Sequence, residues 1–368
     1  MKRFSKELIS LLAVGTLSVT MMGCGSSSTS SSSGSSSATQ SASTQTSDES
    51  SSAGTESSAE AKTDATVLRV NMSETADSEK SKAIEAVKEE IEKNTDGRVT
   101  LEIHNNGELG TFQDDIEAIT GGANIVDGTS PSAFCDYGNG DLMALDLMFE
   151  LRSYEDCDKI NDSDLFWEMV NPLEEKSHIK ILAVNWGNMP RCVLSNKPIN
   201  SVEDMKGMII RTPLANYISF FTRLGATTQS MSLADTYTAL QQKTIDACEF
   251  GYDILYNNSL YEVAKYCYAD EHAYAPCMWA MNSDIFNSLS EDDQKAVKQA
   301  FEDGGKSYEE TNKNSQADYR KKLEDAGVTF VDPSDEDKKT MYAAAKDSAS
   351  DFDLSDGIMD KIDQALGR

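Results

Sequence analysis

The stretch GMIIRTPLANY, residues 207–217, places a positive charge at the end of a short apolar strand. Residues 208–210 form the apolar run, Arg211 follows it, and Thr212-Pro213 stops the strand before an aromatic helix begins. Ligands of open α/β sheets bind at the carboxyl ends of strands, and a buried charge is costly unless it is paired. The position therefore predicts that Arg211 either binds an anion or is neutralised by an acidic side chain of the same chain.

A second arginine, Arg191, begins another apolar strand directly after the turn-like residues 186–190. Two guanidinium groups at neighbouring strand ends suit a carboxylate, because each can bind one through two parallel hydrogen bonds. The pattern alone leaves two interpretations open: a shared anion site, or separate pairs with Asp and Glu residues.

The charge balance of the chain is strongly acidic. Lys and Arg number 33 against 62 Asp and Glu, a net charge of −29. A nucleic-acid-binding protein needs a basic surface, so this composition argues against that class. It also argues against electrostatic binding to a membrane. An anionic ligand would need a local exception to the acidic field, and the two arginines are the candidates.

Strand and helix patterns alternate from Thr66 onward. The first half contains predicted strands at 67–71, 99–103, 124–127 and 179–184, and predicted helices at 78–93, 112–120 and 164–176. The second half repeats this order, with strands at 192–194, 208–211 and 245–249 and helices at 217–224 and 232–242. The alternation predicts an α/β fold with largely parallel sheets.

A long helical pattern at 290–326 follows, then a short strand at 328–331 and a polar helical tail at 335–366. As one helix, the first of these would be about 50 Å long. That length is enough to lie along two domains and connect them.

The N-terminus has the features of a lipoprotein signal. Three basic residues precede an apolar stretch from Leu8 to Met22, which is shorter than the about 20 residues of a membrane-spanning helix. Met21-Met22-Gly23-Cys24 resembles a lipobox, in which Cys24 carries the lipid, and the alternative is ordinary secretion without lipid. We therefore predict a signal peptide at 1–23 and a serine-rich disordered tether at 24–65.

The chain lacks the sequence patterns of common enzymes and metal sites. It contains no GxSxG, HExxH or phosphate-binding glycine loop, and no cysteine lies at metal-ligand spacing from a histidine. We interpret His104, His178 and His272 as structural or solvated residues, and we expect neither a cofactor nor a metal. The six cysteines beyond Cys24 are compatible with disulfides or with buried thiols.

From Thr66 onward the chain resembles the DctP-type solute-binding proteins of tripartite ATP-independent periplasmic (TRAP) transporters. The motifs that carry the resemblance are NNGELG at 105–110, RCVLSNKPI at 191–199, SVEDMKGMIIRTP at 201–213, MSLADTYTALQQKTID at 231–246, LYEVAKY at 260–266 and SEDDQKAV at 290–297. The resemblance implies a two-lobed, type II periplasmic-binding-protein-like α/β fold with a ligand cleft between the lobes and a long connecting helix. The expected lobes are 66–188 plus 277–318, and 189–276 plus 319–368.

The resemblance also implies roles for individual residues. The family's arginine at the place of Arg211 forms the main salt bridge to the ligand carboxylate, and the one at the place of Arg191 often joins it. Phe250 stands where several members have an asparagine that contacts ligand, so an apolar or ring surface of the ligand is expected there. The remaining predicted ligand-binding residues are Glu249, Asn188, Trp186, Glu74, Ser130 and Tyr274.

The expected function is that of a lipid-anchored extracytoplasmic receptor. It would act as a monomer without catalysis, capture a small organic acid such as a sugar acid, and deliver it to TRAP membrane subunits. Two alternatives stay open: a binding protein of an ABC importer, and a surface lipoprotein enzyme that acts on acidic sugars through paired carboxylates.

Overall fold

The computed structural model describes residues 65–368, and the predicted signal peptide, lipobox and tether lie outside this range except for residue 65. The strands are β1 (Thr66–Asn71), β2 (Val99–His104), β3 (Ile125–Thr129), β4 (Ile179–Gly187), β5 (Arg191–Ser195), β6 (Ile209–Arg211), β7 (Thr227–Gln229), β8 (Ala247–Gly251), β9 (Tyr266–Ala273), β10 (Pro276–Asn282) and β11 (Thr329–Val331). The helices are α1 (Glu79–Asn94), α2 (Phe112–Thr120), α3 (Leu142–Leu145), α4 (Tyr154–Asn161), α5 (Asp164–Val170), α6 (Pro172–Ser177), α7 (Ala215–Arg223), α8 (Leu233–Gln241), α9 (Tyr252–Asn257), α10 (Ser283–Ser288), α11 (Glu291–Asp325), α12 (Asp335–Ser348) and α13 (Ile358–Leu366).

The first lobe is built on a five-stranded sheet in the order β2-β1-β3-β10-β4. Strands β1, β2 and β3 run parallel, whereas β10 is antiparallel to both of its neighbours. Alternate residues of β10 enter two cores, Met278 on one face and Trp279 on the other. Helices cover both faces, so the central strands are apolar on both sides, as expected for such a sheet.

The second lobe is built on a six-stranded sheet in the order β11-β9-β5-β8-β6-β7. Strand β5 is antiparallel to β8 and β9, and the pairs β6–β7, β6–β8 and β9–β11 are parallel. Helices α7 and α12 pack on one face, and α8, α9 and the end of α11 pack on the other. The two sheets confirm the predicted two-lobed α/β fold, although the antiparallel pairs make both sheets more mixed than expected.

Helix α11 connects the two lobes, as predicted. Its first half places Phe301 in the core of the first sheet, and its second half places Leu323 in the core of the second. Gly304 and Gly305 lie where α11 crosses β4. A Cβ at Gly304 would overlap Val87, and a Cβ at Gly305 would lie 2.5 Å from Asn185 Oδ1. The close approach of α11 to α1 and β4 therefore leaves no room for a side chain at either position unless the neighbouring side chains shift.

The chain passes between the sheets at two further places, from β4 to β5 through residues 188–190 and from β9 to β10 through residues 274–275. Strands β9 and β10 had no counterpart in the sequence analysis. Their motif, acidic residues followed by a proline, lacks the clean alternation that identifies a strand. These crossings bring the ends of both sheets to one cleft.

Several boundaries differ from the predictions. The helix expected at 164–176 is two helices, because Pro172 starts a new one, and the tail at 335–366 is interrupted between α12 and α13. The predicted boundaries assigned 319–368 to the second lobe, whereas Ile358 and Ile362 of α13 pack in the core of the first sheet. Their four-residue spacing makes one face of α13 apolar, and the first lobe buries that face.

All six cysteines of the described part are free thiols, and five of them are buried. Cys192 Sγ and Cys267 Sγ lie 3.4 Å apart. No helix between residues 65 and 368 is both long and apolar enough to cross a membrane.

Candidate ligand-binding site

A cavity of about 630 Å³ lies between the two sheets. Its volume falls in the usual range of small-molecule sites. The first lobe contributes residues after β1 and at the end of β3, and the second contributes the ends of β6 and β8. Six of the predicted ligand-binding residues line the cavity: Arg211, Arg191, Phe250, Asn188, Glu74 and Ser130.

Arg211 is held at the cavity wall by the end of β6. The backbone N–H of Thr212 donates to Gln229 O, and Pro213 then ends the strand. The side chain is only 4 % exposed, and its Nε donates to Met231 O at 3.0 Å. Nη1 has no hydrogen-bond partner within residues 65–368. Arg211 thus retains donor capacity in a cavity that can hold an anion.

Arg191 is paired more tightly. Its Nε lies 2.5 Å from Glu249 Oε2, and its Nη2 donates to the backbone oxygen of Glu249 at 2.8 Å. Arg211 Nη1 lies 3.8 Å from the other oxygen of Glu249. One fully buried carboxylate therefore lies behind both guanidinium groups. The interpretation as a pair with an acidic residue holds for Arg191, and the shared anion site stays a prediction.

The ring of Phe250 lies against both arginines. Arg211 Cζ is 4.5 Å and Arg191 Cζ is 5.2 Å from its centroid. Cation–π contacts of this kind fix the planes of the guanidinium groups. Phe250 is 5 % exposed and also belongs to the core of the second sheet. We expected Phe250 to contact the ligand, and the structure adds its contacts with the arginines and with the core.

A buried histidine completes the charge cluster behind the arginines. His272 Nδ1 lies 3.0 Å from Asp270, and its Nε2 lies 3.6 Å from Glu249. Burial alone would lower the pKa of His272, but Asp270 and Glu249 raise it to about 9. Arg191, Arg211 and His272 thus meet the carboxyl groups of Glu249 and Asp270 in one cluster behind the cavity wall.

The titration of this cluster follows from the same contacts. Burial raises the pKa of Glu249, but Arg191 and His272 outweigh it and hold the pKa at about 2. Burial and the nearby Arg191 lower the pKa of Arg211 to about 10 although Glu249 opposes them. Glu249 is therefore ionised and Arg211 protonated near neutral pH.

The first lobe lines the cavity with the carboxyl groups of Glu74 and Asp127 and with Lys80, whereas the second lobe contributes the two arginines. Lys80 Nζ lies 2.7 Å from Glu74 Oε1, and both side chains are buried. Lys80 holds the pKa of Glu74 below its ordinary value although burial opposes this. Asp127 of the first lobe and Asp253 of the second lobe also line the cavity, and each is buried.

Asn188 lines the cavity where the chain crosses from β4 to β5. Its Nδ2 donates to Ala275 O at 2.9 Å, and its Oδ1 accepts from Tyr308 Oη at 3.1 Å. The amide thus joins both crossing segments to α11, in addition to facing the cavity.

Three predicted ligand-binding residues do not line the cavity. Trp186 is fully buried in the core of the first sheet, where its Nε1 donates to Phe301 O at 2.8 Å. Tyr274 packs against Tyr154, and its hydroxyl donates to Glu271 at 3.0 Å. Glu249 is fully buried behind the arginines.

Sequence reasoning missed Lys80, Asp127 and Asp253 as cavity residues. Lys80 lies on the buried face of α1, where a lysine is rare unless it is paired. Asp127 ends a predicted apolar strand, the same signal that identified Arg211. Asp253 is the second residue of α9, two positions after the end of β8. Only this closeness to a strand end could have indicated that it lines the cavity.

The comparisons with known proteins agree with this architecture. Residues 70–353 match the family model DctP, described as bacterial extracellular solute-binding protein, family 7. The chain belongs to this family. The resemblance to the DctP-type proteins is thus confirmed.

Curated relatives and solved structures show the same relationship. The 2,3-diketo-L-gulonate-binding periplasmic protein of Escherichia coli is 27 % identical over 72 % of this chain and 80 % of its own length. A TRAP periplasmic solute-binding protein from Ochrobacterium anthropi with bound L-fuconate is 27 % identical, has a TM-score of 0.78, and covers 82 % of this chain and 99 % of its own. One from Fusobacterium nucleatum with bound sn-glycerol 3-phosphate is 26 % identical at the same TM-score and covers 82 % and 97 %.

Proposed function

We propose that this protein is an extracytoplasmic receptor that binds one small organic anion and delivers it to the membrane subunits of a TRAP transporter. The observation that carries the proposal is Arg211, which is almost fully buried at the wall of the cavity with one nitrogen free of hydrogen bonds within residues 65–368. A ligand carboxylate supplies the missing acceptors in the geometry that a guanidinium group prefers.

The relatives support this ligand class. Diketogulonate, fuconate and glycerol phosphate, named for three similar proteins, are small hydroxylated anions. The acidic charge of the chain as a whole does not exclude such a ligand, because Arg191 and Arg211 place two guanidinium groups at the cavity wall.

We further propose that the protein acts as a monomer and without catalysis. The support for the absence of catalysis is the family, which is described as one of solute-binding proteins. Incubation with acidic sugars followed by product analysis tests this, since turnover would favour the alternative of a surface enzyme.

A panel of organic acids tests the binding function: hexonates, hexuronates, C4-dicarboxylates and sn-glycerol 3-phosphate. A ligand at about a thousand times its Kd adds about 4 kcal/mol to stability, which a thermal-shift screen detects. Calorimetry with the ligands found should then show that Arg211→Ala loses about 3–5 kcal/mol of binding free energy. Arg211→Lys should recover only part, because lysine lacks the planar fork.

The matched control is Arg223→Ala, because Arg223 pairs with Asp351 on the surface and lies outside the cavity. It should leave the Kd unchanged. An Arg211→Ala protein that binds as tightly as the unmodified one would refute the assignment of Arg211.

The lipid anchor at Cys24 is also a proposal. Its support is the lipobox-like Met21-Met22-Gly23-Cys24. Cys24→Ser should release the protein into the medium without changing its affinity for ligand, as cell fractionation and calorimetry would show. Retention of the variant in the membrane fraction would argue for an uncleaved N-terminal anchor instead.

A further inference from the structure

The charges around the cavity are separated into two groups. One group is the arginine cluster described above. The other, which we call the acidic end, consists of Glu74, Asp127 and Asp253 with Lys80 as its cation. Three carboxyl groups thus lie near one ammonium group, and Lys80 Nζ already forms an ion pair with Glu74 Oε1 at 2.7 Å.

Asp127 is the central residue of the acidic end. It lies on β3 and is 6 % exposed, and its Oδ2 is buried without a hydrogen-bond partner within residues 65–368. Its neighbour Asn71 donates from Nδ2 to Asp115 and to Gly110 O, so this amide is already engaged. A buried, unpartnered carboxyl group that lines a cavity is a position for a hydrogen-bond donor of the ligand.

Asp253 approaches the acidic end from the second lobe. It is 5 % exposed and lines the same cavity. Neither Asp127 nor Asp253 forms an ion pair with any side chain of the described range. The two lobes therefore each contribute one buried carboxyl group that forms no ion pair, although Lys80 lies near both groups and Arg191 near Asp253.

The pKa values of Asp127 and Asp253 are both raised, as expected for buried carboxyl groups that form no ion pair. Burial, with the charge of Asp115, raises the pKa of Asp127 to about 8, and burial raises the pKa of Asp253 to about 6. The other titratable groups that face Asp127 are Glu74, Lys80 and Cys277. Those that face Asp253 are Glu74, Lys80, Arg191, Tyr154, Tyr308 and Tyr319. Near neutral pH, Asp127 therefore retains its proton for most of the time, and a nearby cation would displace that proton.

We propose that the ligand is a zwitterion whose ammonium group binds at Asp127 and Asp253 while its carboxylate binds at Arg211. This inference rests on the proposed function and narrows its ligand class. A neutral hydroxyl can hydrogen-bond to Asp127, but only a cation balances the excess of carboxylates at this end. The positive and acidic ends then each receive the opposite charge.

Calorimetry with matched acids tests the inference on the unmodified protein. The probes are ω-amino acids, ω-hydroxy acids and plain acids of about four to six carbons, a size that the cavity admits. At the best chain length, the amino acid should bind at least about tenfold more tightly than the hydroxy acid. At pH 7 its binding should also release a proton, seen as a dependence of the heat on the ionisation enthalpy of the buffer.

Asp127→Asn should reduce the preference for the amino acid to near unity and abolish the proton release. Asp356→Asn, an exposed Asp outside the cavity, is the matched control and should preserve both. Thermal denaturation without ligand checks that both variants fold. The comparison of amino and hydroxy acids on the unmodified protein tests the inference even if a variant does not fold.

Equal or tighter binding of the hydroxy acids would overturn the zwitterion assignment. If that binding still depended on Arg211, the proposed receptor function would stand. If no acid of either panel bound, both proposals would fail.

Discussion

Replacement of Glu249 by glutamine tests whether one carboxylate holds the anion site together. Its oxygens lie 2.5 Å from Arg191 Nε, 3.8 Å from Arg211 Nη1 and 3.6 Å from His272 Nε2. Without this charge, Arg191, Arg211 and His272 lose the carboxylate that all three contact. Loss of one partner from a buried ion pair costs about 3–5 kcal/mol.

The pKa of Glu249 gives a second route to the magnitude. A shift from 4.5 to about 2 corresponds to about 3 kcal/mol of stability. Because the folded-state pKa is depressed, this contribution is complete above pH 4.5 and disappears as the pH falls toward 2. Both routes predict a loss of about 3 kcal/mol at neutral pH for Glu249→Gln, or a Tm lower by about 6–12 °C.

Thermal and chemical denaturation between pH 2 and 7 measure this effect. The wild type should lose stability steeply between pH 4.5 and 2, and the variant should lack that component. Glu203→Gln, at an exposed carboxylate paired with Lys206, is the control and should change little. A Glu249→Gln protein as stable as the wild type at pH 7 would refute the reasoning.

Three further predictions concern the fold and the site. Gly304→Ala should destabilise the protein by about 1–3 kcal/mol despite alanine's higher helix propensity, because its Cβ would overlap Val87; an unchanged Tm would contradict this. Phe250→Leu should weaken ligand binding about fivefold to thirtyfold in calorimetry, since it removes the ring that contacts both guanidinium groups. The pKa of His272 is raised to about 9, so its contribution to stability is complete below pH 6.5 and is lost as the pH rises through 9. Replacement of His272 by Gln should therefore flatten the fall in Tm between pH 7 and 10, and an unaltered slope would count against the charged histidine.

The functional site was only partly predictable from the sequence. Arg211 and Arg191 were found because a charge at the end of an apolar strand is a local signal. Asp127 carried the same signal, but an acidic residue does not stand out in so acidic a chain. Trp186 and Tyr274 were assigned to the site, and the structure places them elsewhere because the direction of a side chain depends on the strand's neighbours.

Local patterns alone determined the α/β class, most strand and helix positions and the long helix α11, and they singled out the two arginines as candidates, because periodicity and strand ends depend on near neighbours in the chain. Tertiary structure decided which charges meet. The pairing of Glu249 with Arg191, Arg211 and His272 joins β5, β6, β8 and β9, and the acidic end joins residues of both lobes. Such contacts span many residues in sequence, and no local pattern encodes them. The antiparallel insertion of β10 and the packing of α13 on the first lobe depend in the same way on surfaces that exist only once the sheets have formed.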